Sequence, residues 1–274
     1  MRPTSPRMRS KCGLAFEANP YETSHLYKEI FLEGIYGSMH FELPSRPVVV
    51  DIGANIGMFV SFARRTWPRA SILCVEPVPE LAEIVRSNFS GDADVTVLEA
   101  VVSQHDGVQD VTYFPEFSIF SGVDVSQAEV RNNLRTELDR TAAAMDPSQR
   151  QTLLQAASLL VDARLVPEVR TCRAITLSSL LAEQGYVDLL KMDVEHKEVE
   201  ILTSLGPSDW RRIGAICLEP QMYPAHLAEA SRLLSDNGFD VVAYPAKGTE
   251  PGFVAVNRLP GTPAGRRHVS GHPS

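Results

Sequence analysis

Short apolar runs alternate with amphipathic stretches along most of the chain. Val48, Val49 and Val50 form a β-branched run that stops at Asp51 and Gly53, the pattern of a parallel strand buried on both faces. Gly57 to Thr66 follows with helical character and ends before Pro68. Ser71 to Glu76 predicts a second buried strand, Pro79 to Phe89 a second helix, and Val95 to Val102 a third strand. A proline opens that second helix and Gly91 lies just past its end, the usual asymmetry of helix termini. Upstream, Tyr21 to Tyr36 carries Leu26, Ile30, Phe31 and Ile35 on roughly one helical face. Strands interleaved with helices predict a doubly wound parallel sheet.

The rhythm then breaks. Val111 to Phe114 predicts an extra strand and Phe117 to Gly122 a loop. Asp124 to Val166, rich in Ala, Leu, Gln, Arg and Glu and broken at Pro147, predicts an inserted pair of helices. Alternation resumes with helix Ser178 to Gln184, strand Val187 to Met192, helix Glu195 to Leu205, strand Ile213 to Leu218 and helix Ala225 to Asp236. Phe239 to Tyr244 and Gly252 to Asn257 then predict an antiparallel hairpin at one sheet edge. This organisation predicts one domain over residues 21–259, with the insertion at about 124–166, between flexible tails at 1–20 and 260–274.

Composition narrows the class. Of the 274 residues 44% are hydrophobic and 22% charged, which rules out a disordered, collagenous or disulfide-framework chain. The formal net charge of -8 argues against nucleic acid as a partner, because phosphate binding needs clustered Lys and Arg. Cys12, Cys74, Cys172 and Cys217 form no Cys-x-x-Cys pair and read as buried thiols in a reducing compartment. No apolar run approaches a membrane span, and Met1 to Lys11 lacks the apolar core of a signal peptide. A cytoplasmic location is the expectation.

In an open parallel sheet, ligands bind beyond the carboxyl ends of the strands. The residues there are Asp51 to Gly57, Glu76-Pro77, Ala100-Val101, Asp193 to His196 and Glu219-Pro220. The first is a glycine-bearing turn that opens a helix, suited to a carboxylate or phosphate. A dinucleotide fingerprint needs two further glycines, and Asn55 and Met58 stand in their places. Glu76 ends the second strand, where an acid accepts both hydroxyl hydrogens of a ribose. One nucleoside plus a small polar group fits S-adenosylmethionine better than NAD.

Three segments carry a family resemblance: Asp51-Ile52-Gly53-Ala54-Asn55-Ile56-Gly57, Val75-Glu76-Pro77 and Leu190-Lys191-Met192-Asp193-Val194-Glu195. They closely resemble the FkbM-type S-adenosylmethionine-dependent methyltransferases. Glu22-Thr23, Thr112-Tyr113-Phe114-Pro115 with Ser121-Gly122, and Thr176-Leu177-Ser178 resemble the subgroup associated with polyketide and nonribosomal peptide assembly lines. The resemblance implies a class I methyltransferase fold, Rossmann-like, with a seven-stranded mainly parallel sheet, one antiparallel strand and helices on both faces. It implies S-adenosylmethionine as cofactor and methylation of a small natural product or its precursor, usually at a hydroxyl oxygen. It places Asp51 near the methionine end of the cofactor, Gly53, Asn55 and Gly57 along the turn, Glu76 and the adjacent Pro77 at the ribose, and Ala100-Val101 beside adenine. The family often carries glycine after Asp-Val-Glu, where this chain has His196.

A hydroxyl acceptor must lose its proton as the methyl arrives, and histidine suits that task. His196 is the candidate base, with His226 in reserve. Asp193 and Glu219 are the further candidates for active-site roles. Together these two carboxylates offer oxygen ligands to Mg²⁺, although metal dependence is not expected. Tyr113, Phe114, Phe117 and Phe120 read as a satellite core under the inserted helices or as an apolar wall for substrate. The helix from Tyr21 to Tyr36 is a candidate lid that excludes water. The expected partner is a small molecule, free or tethered to a carrier protein, with no nucleic acid and no membrane; the inserted helices are compatible with a homodimer. Carboxyl- or N-methylation of a small molecule, or a non-catalytic S-adenosylmethionine-binding module, are the alternatives.

Overall fold

The computed structural model describes residues 1–4, 12–36, 41, 43–143, 146–218, 224–245 and 251–258. The strands are β1 (Arg2–Pro3), β2 (Phe16–Glu17), β3 (Val48–Ile52), β4 (Ser71–Val75), β5 (Val95–Leu98), β6 (Val101–Ser103), β7 (Gly107–Tyr113), β8 (Glu168–Thr176), β9 (Val187–Met192), β10 (Ile213–Leu218), β11 (Phe239–Pro245) and β12 (Pro251–Arg258). The main sheet has the order β11-β12-β10-β9-β3-β4-β5. Its five strands from β10 to β5 pair in parallel, whereas β12 runs antiparallel to both β10 and β11. This is a methyltransferase-like α/β fold with a parallel central sheet.

Side chains on successive strand residues point to opposite faces, and both faces are covered. Val49, Cys74, Leu189 and Cys217 face one core, with Phe59, Val60 and Ala63 of helix Met58–Thr66 and Leu81, Ile84 and Val85 of helix Pro79–Asn88. Val50, Val75, Leu190 and Ile216 face the other, with Leu180 and Leu181 of helix Leu177–Gln184 and Ala230 and Leu234 of helix Pro224–Asp236. Strands β3 and β9 occupy the sheet's centre and are buried on both faces. Among the described residues, no helix is long and apolar enough to cross a membrane.

Several expectations need correction. The single strand over Val95 to Val102 is two: after Leu98 the chain leaves the main sheet, and β6 enters a second sheet of order β6-β8-β7. Strand β8 was not anticipated. Its polar and charged residues Arg170, Thr171 and Arg173 interrupt the apolar pattern, and its outer face is largely exposed. The helix over Tyr21 to Tyr36 is an α-helix, Pro20–Tyr27, followed by a π-helical stretch, Lys28–Glu33, that ends at left-handed Gly34. The helix expected from Glu195 to Leu205 spans only Glu198–Thr203.

The described N-terminal residues, 1–4 and 12–20, are packed rather than a loose tail. β1 pairs with β2, and Cys12 and Leu14 are fully buried in the first core. The Asn88 side chain fastens this segment by accepting from Ala15 N–H and Phe16 N–H and donating to the Phe16 carbonyl. The expected C-terminal tail, 260–274, lies outside the described residues.

Between β7 and β8 run helices Gln127–Ala142 and Pro147–Arg164, with Pro147 at the first position of the second. They close over a separate small core of Phe114, Val130, Val161 and Leu165, against which Phe117 and Phe120 pack. Tyr113 instead joins the first main core. Three of the four clustered aromatics therefore serve that small core.

Candidate functional site

Strands β3, β4 and β5 progress along the sheet in one direction, while β9 and β10 progress in the other. The order reverses between β3 and β9, and the crevice beyond such a reversal is where this architecture binds ligands. The Asp51–Gly57 turn and the Asp193–His196 loop lie on its two sides.

The two segments touch. Asp193 N–H donates to the Ile52 carbonyl at 3.1 Å. Gly53 has φ 77°, and a Cβ there would stand 1.9 Å from the Asp193 carbonyl oxygen. Only glycine fits that conformation and that approach. Gly57, with φ 85°, starts helix Met58–Thr66 against the ring of Phe89.

Beneath the turn lies a buried cation that the sequence reading left without a role. The Lys191 ammonium is 3.1 Å from Asp51 Oδ1 and 3.5 Å from Asp193 Oδ2, and it donates to the Gly53 carbonyl at 3.0 Å. Lys191 thereby ties both strands to the turn. Asp51 is fully buried, and burial raises its carboxyl pKa against the opposing pull of Lys191. A lysine within the apolar run Val187–Met192 was the available signal, since a buried ammonium demands partners.

Glu76 reaches back over the turn from the end of β4. Its Oε2 accepts from Asn55 N–H at 2.8 Å and its Oε1 from Val78 N–H at 3.0 Å. Burial raises its pKa from 4.5 to about 7, against those two hydrogen bonds. Asn55 itself is left-handed, φ 49°. The Pro77 carbonyl accepts from the Cys172 thiol at 3.1 Å, and Ala100 and Val101 are buried where the chain passes from β5 to β6. Asp51, Gly53, Asn55 and Glu76 therefore converge on one turn.

His196 is not at a helix start. Glu195 and His196 are successive left-handed residues, φ 52° and 76°, ahead of helix Glu198–Thr203. This explains the glycine that the resembling family often carries there, because left-handed backbone strains any residue with a side chain. The ring of His196 meets that of His226 edge-on, centroids 6.4 Å apart. Burial and the neighbouring His226 lower its pKa, with Glu129 opposing. Asp193 is half-buried on the same loop. Glu219 lies outside the described residues, so its pairing with Asp193 does too. Among the described residues no group of three or more His, Cys, Asp or Glu side chains is arranged to hold a metal ion.

Two further polar residues close the turn from above. Ser118 Oγ donates to Glu22 Oε2 at 2.8 Å and accepts from Asn55 Nδ2 at 3.1 Å. Neither was singled out for the site from sequence, because the contact joins segments 96 residues apart.

Comparison with known proteins identifies the family. The methyltransferase FkbM domain profile matches residues 51–241. The chain is 33% identical over 253 residues to the 31-O-demethyl-FK506 methyltransferase FkbM of Streptomyces tacrolimicus, covering 89% of this chain and 93% of that protein. It is 31% identical over 233 residues to methyltransferase sdnD of Sordaria araneosa, covering 80% and 83%. A crystal structure of methyltransferase FkbM from Methylobacillus flagellatus KT superposes with a TM-score of 0.50 at 9% identity, over 92% of this chain and 58% of that one. At that identity the likeness concerns the fold alone.

Proposed function

The chain belongs to the FkbM family of S-adenosylmethionine-dependent methyltransferases, and from that premise we propose that it methylates a hydroxyl oxygen of a small natural product or its precursor, free or carrier-tethered. The observation that carries the oxygen assignment is His196: a histidine half-buried on the same loop after β9 as Asp193, with ring nitrogens that can take a proton and a pKa that burial and His226 lower. The name of the Streptomyces tacrolimicus relative, with its O-demethyl substrate, supports the same reading.

The residues of the turn fit the cofactor. Each oxygen of the Glu76 carboxylate receives one backbone N–H and keeps a further lone pair for a ribose hydroxyl. The close approach of Gly53 to Asp193 leaves no side chain between the turn and the loop after β9. When bound, S-adenosylmethionine supplies an electrophilic methyl group. Gly53, Asn55 and Gly57 shape the turn that orients it, with Asp51 acting through Lys191, and Pro77, Ala100 and Val101 form the apolar side. Asp193 would orient the acceptor, and His196 would take the hydroxyl proton at an imidazole nitrogen, the methyl–sulfur bond of the sulfonium breaking as the C–O bond forms and the neutral thioether leaving. Helix Pro20–Tyr27 acts as a lid that excludes water.

The test is incubation with methyl-labelled S-adenosylmethionine and a panel of small molecules bearing hydroxyl, carboxyl or amine groups. The expected products are methyl ethers, formed far more slowly by His196→Ala. Exclusive formation of esters or methylamines would overturn the oxygen assignment.

A further inference from the structure

A continuous hydrogen-bonded run crosses the site from the N-terminal helix to the end of β4. Asn55 N–H donates to Glu76, Asn55 Nδ2 donates to Ser118 Oγ, and Ser118 Oγ–H donates to Glu22. Ile119 N–H also donates to Glu22, at 3.3 Å. Glu22, Ser118 and Glu76 are all buried. Each link has a fixed direction. A hydroxyl has one hydrogen, and the Glu22 carboxylate, an acceptor, draws it away from Asn55. The serine lone pairs are then free to receive the Asn55 amide.

Both polar atoms of the Asn55 side chain are thus engaged. Its Oδ1 accepts from Ile56 N–H at 2.8 Å and its Nδ2 serves Ser118. These bonds hold a left-handed, non-glycine residue at the centre of the turn, a conformation that persists only where its surroundings determine it. In this conformation the Asn55 N–H points at Glu76. The N-terminal helix is separately fastened to the same loop. Asn19 caps it by accepting from Tyr21 N–H, and its amide donates to the Glu116 carbonyl at 2.9 Å.

We propose that Glu22 and Ser118 are positioning residues for S-adenosylmethionine. Through Asn55 they set the turn and the orientation of Glu76, so that cofactor binding and docking of helix Pro20–Tyr27 onto the 115–120 loop reinforce one another. This inference rests on the cofactor reading above. A mere structural tether would hold the helix in place without changing affinity for the cofactor. Coupling between two sites is reciprocal, so bound cofactor must also steady the helix.

The experiment is calorimetric titration of the full chain with S-adenosylhomocysteine, for the wild type and for Ser118→Ala, Glu22→Ala and Glu22→Gln. Hydrogen exchange of residues 20–27 is followed with and without the ligand. Both alanine variants are expected to bind about tenfold more weakly or worse, the scale of one lost charge-assisted hydrogen bond. Glu22→Gln is expected to recover most of the affinity, since its amide oxygen still accepts from Ser118. In the wild type the ligand is expected to slow exchange across residues 20–27. Alanine variants that bind as tightly as the wild type, or helix exchange unaltered by ligand, would overturn the inference. The exchange result decides it even if a variant fails to fold. A wild type that does not bind S-adenosylhomocysteine would overturn the cofactor reading itself, and this inference with it.

Discussion

The ammonium of Lys191 and the carboxylate of Asp51 stand 3.1 Å apart, both buried and directly in register on the adjacent parallel strands β9 and β3. The pair sits below the reversal point of the sheet. The same ammonium holds the Gly53 carbonyl and lies 5.9 Å from the centroid of the Phe59 ring. One cation thus joins the two central strands, the turn and the first helix that follows it.

Lys191→Met leaves Asp51 buried beside an apolar chain. Removing one partner of a buried ion pair costs about 3–5 kcal/mol, and urea unfolding at pH 8 should show a loss of that order. At pH 5 the loss should shrink, because burial already raises the Asp51 pKa and the acid escapes the penalty by taking a proton. Adding Asp51→Asn to Lys191→Met should recover part of the stability. An unchanged midpoint for Lys191→Met would show that the pair does not hold the strands together.

His196 occupies backbone that favours glycine, φ 76°. His196→Gly and His196→Ala both remove the candidate base, but only the first relieves the conformation. The glycine variant should be more stable than the alanine variant by about 1 kcal/mol. Methyl transfer should fall on the order of 10²-fold or more in both. Equal stability of the two variants would place the loop outside the left-handed region, and undiminished transfer would remove His196 from the chemistry.

Glu198 is buried at the start of helix Glu198–Thr203, where it accepts from Val194 N–H at 2.9 Å. Burial raises its pKa from 4.5 to about 7. The folded chain therefore holds this proton between about pH 4.5 and 7 while the unfolded chain releases it. The stability it contributes is present at low pH and lost as pH rises through about 7. Glu22 and Glu76 shift in the same direction and to about the same value. Unfolding free energies of Glu198→Gln minus those of the wild type should rise by about 1–3 kcal/mol from pH 5 to pH 8. A difference independent of pH would contradict the assignment.

Much of this arrangement was legible in the sequence. The central strands showed because short, mostly apolar runs such as Val48 to Val50 stand between turn signals, and the turn because glycines follow an acid at a strand end. Strand β8 was missed because its outer face is polar, and the break after Leu98 because the run Val95 to Val102 carries no turn residue. The left-handed pair Glu195-His196 has no composition signal. Lys191 was given no role from sequence, although a charge inside an apolar strand was the signal that could have found it. Ser118 lay beyond reach, since only folding brings it between Glu22 and Asn55.

Ligand affinity should follow the charge of Glu76. Below about pH 7 the carboxyl takes a proton and loses acceptor capacity. Binding of S-adenosylhomocysteine should therefore weaken from pH 8 to pH 6 in the wild type and stay nearly flat in Glu76→Gln. A wild-type affinity independent of pH would separate ribose recognition from this carboxylate.

The most direct test is calorimetric titration of the purified chain with S-adenosylmethionine, S-adenosylhomocysteine and NAD, repeated with Glu76→Ala. The account predicts binding of the two sulfur ligands, none of NAD, and loss of the sulfur ligands in the variant. Preference for NAD, or sulfur-ligand binding that survives Glu76→Ala, would contradict the assignment of the Asp51–Gly57 turn and Glu76 as the cofactor site.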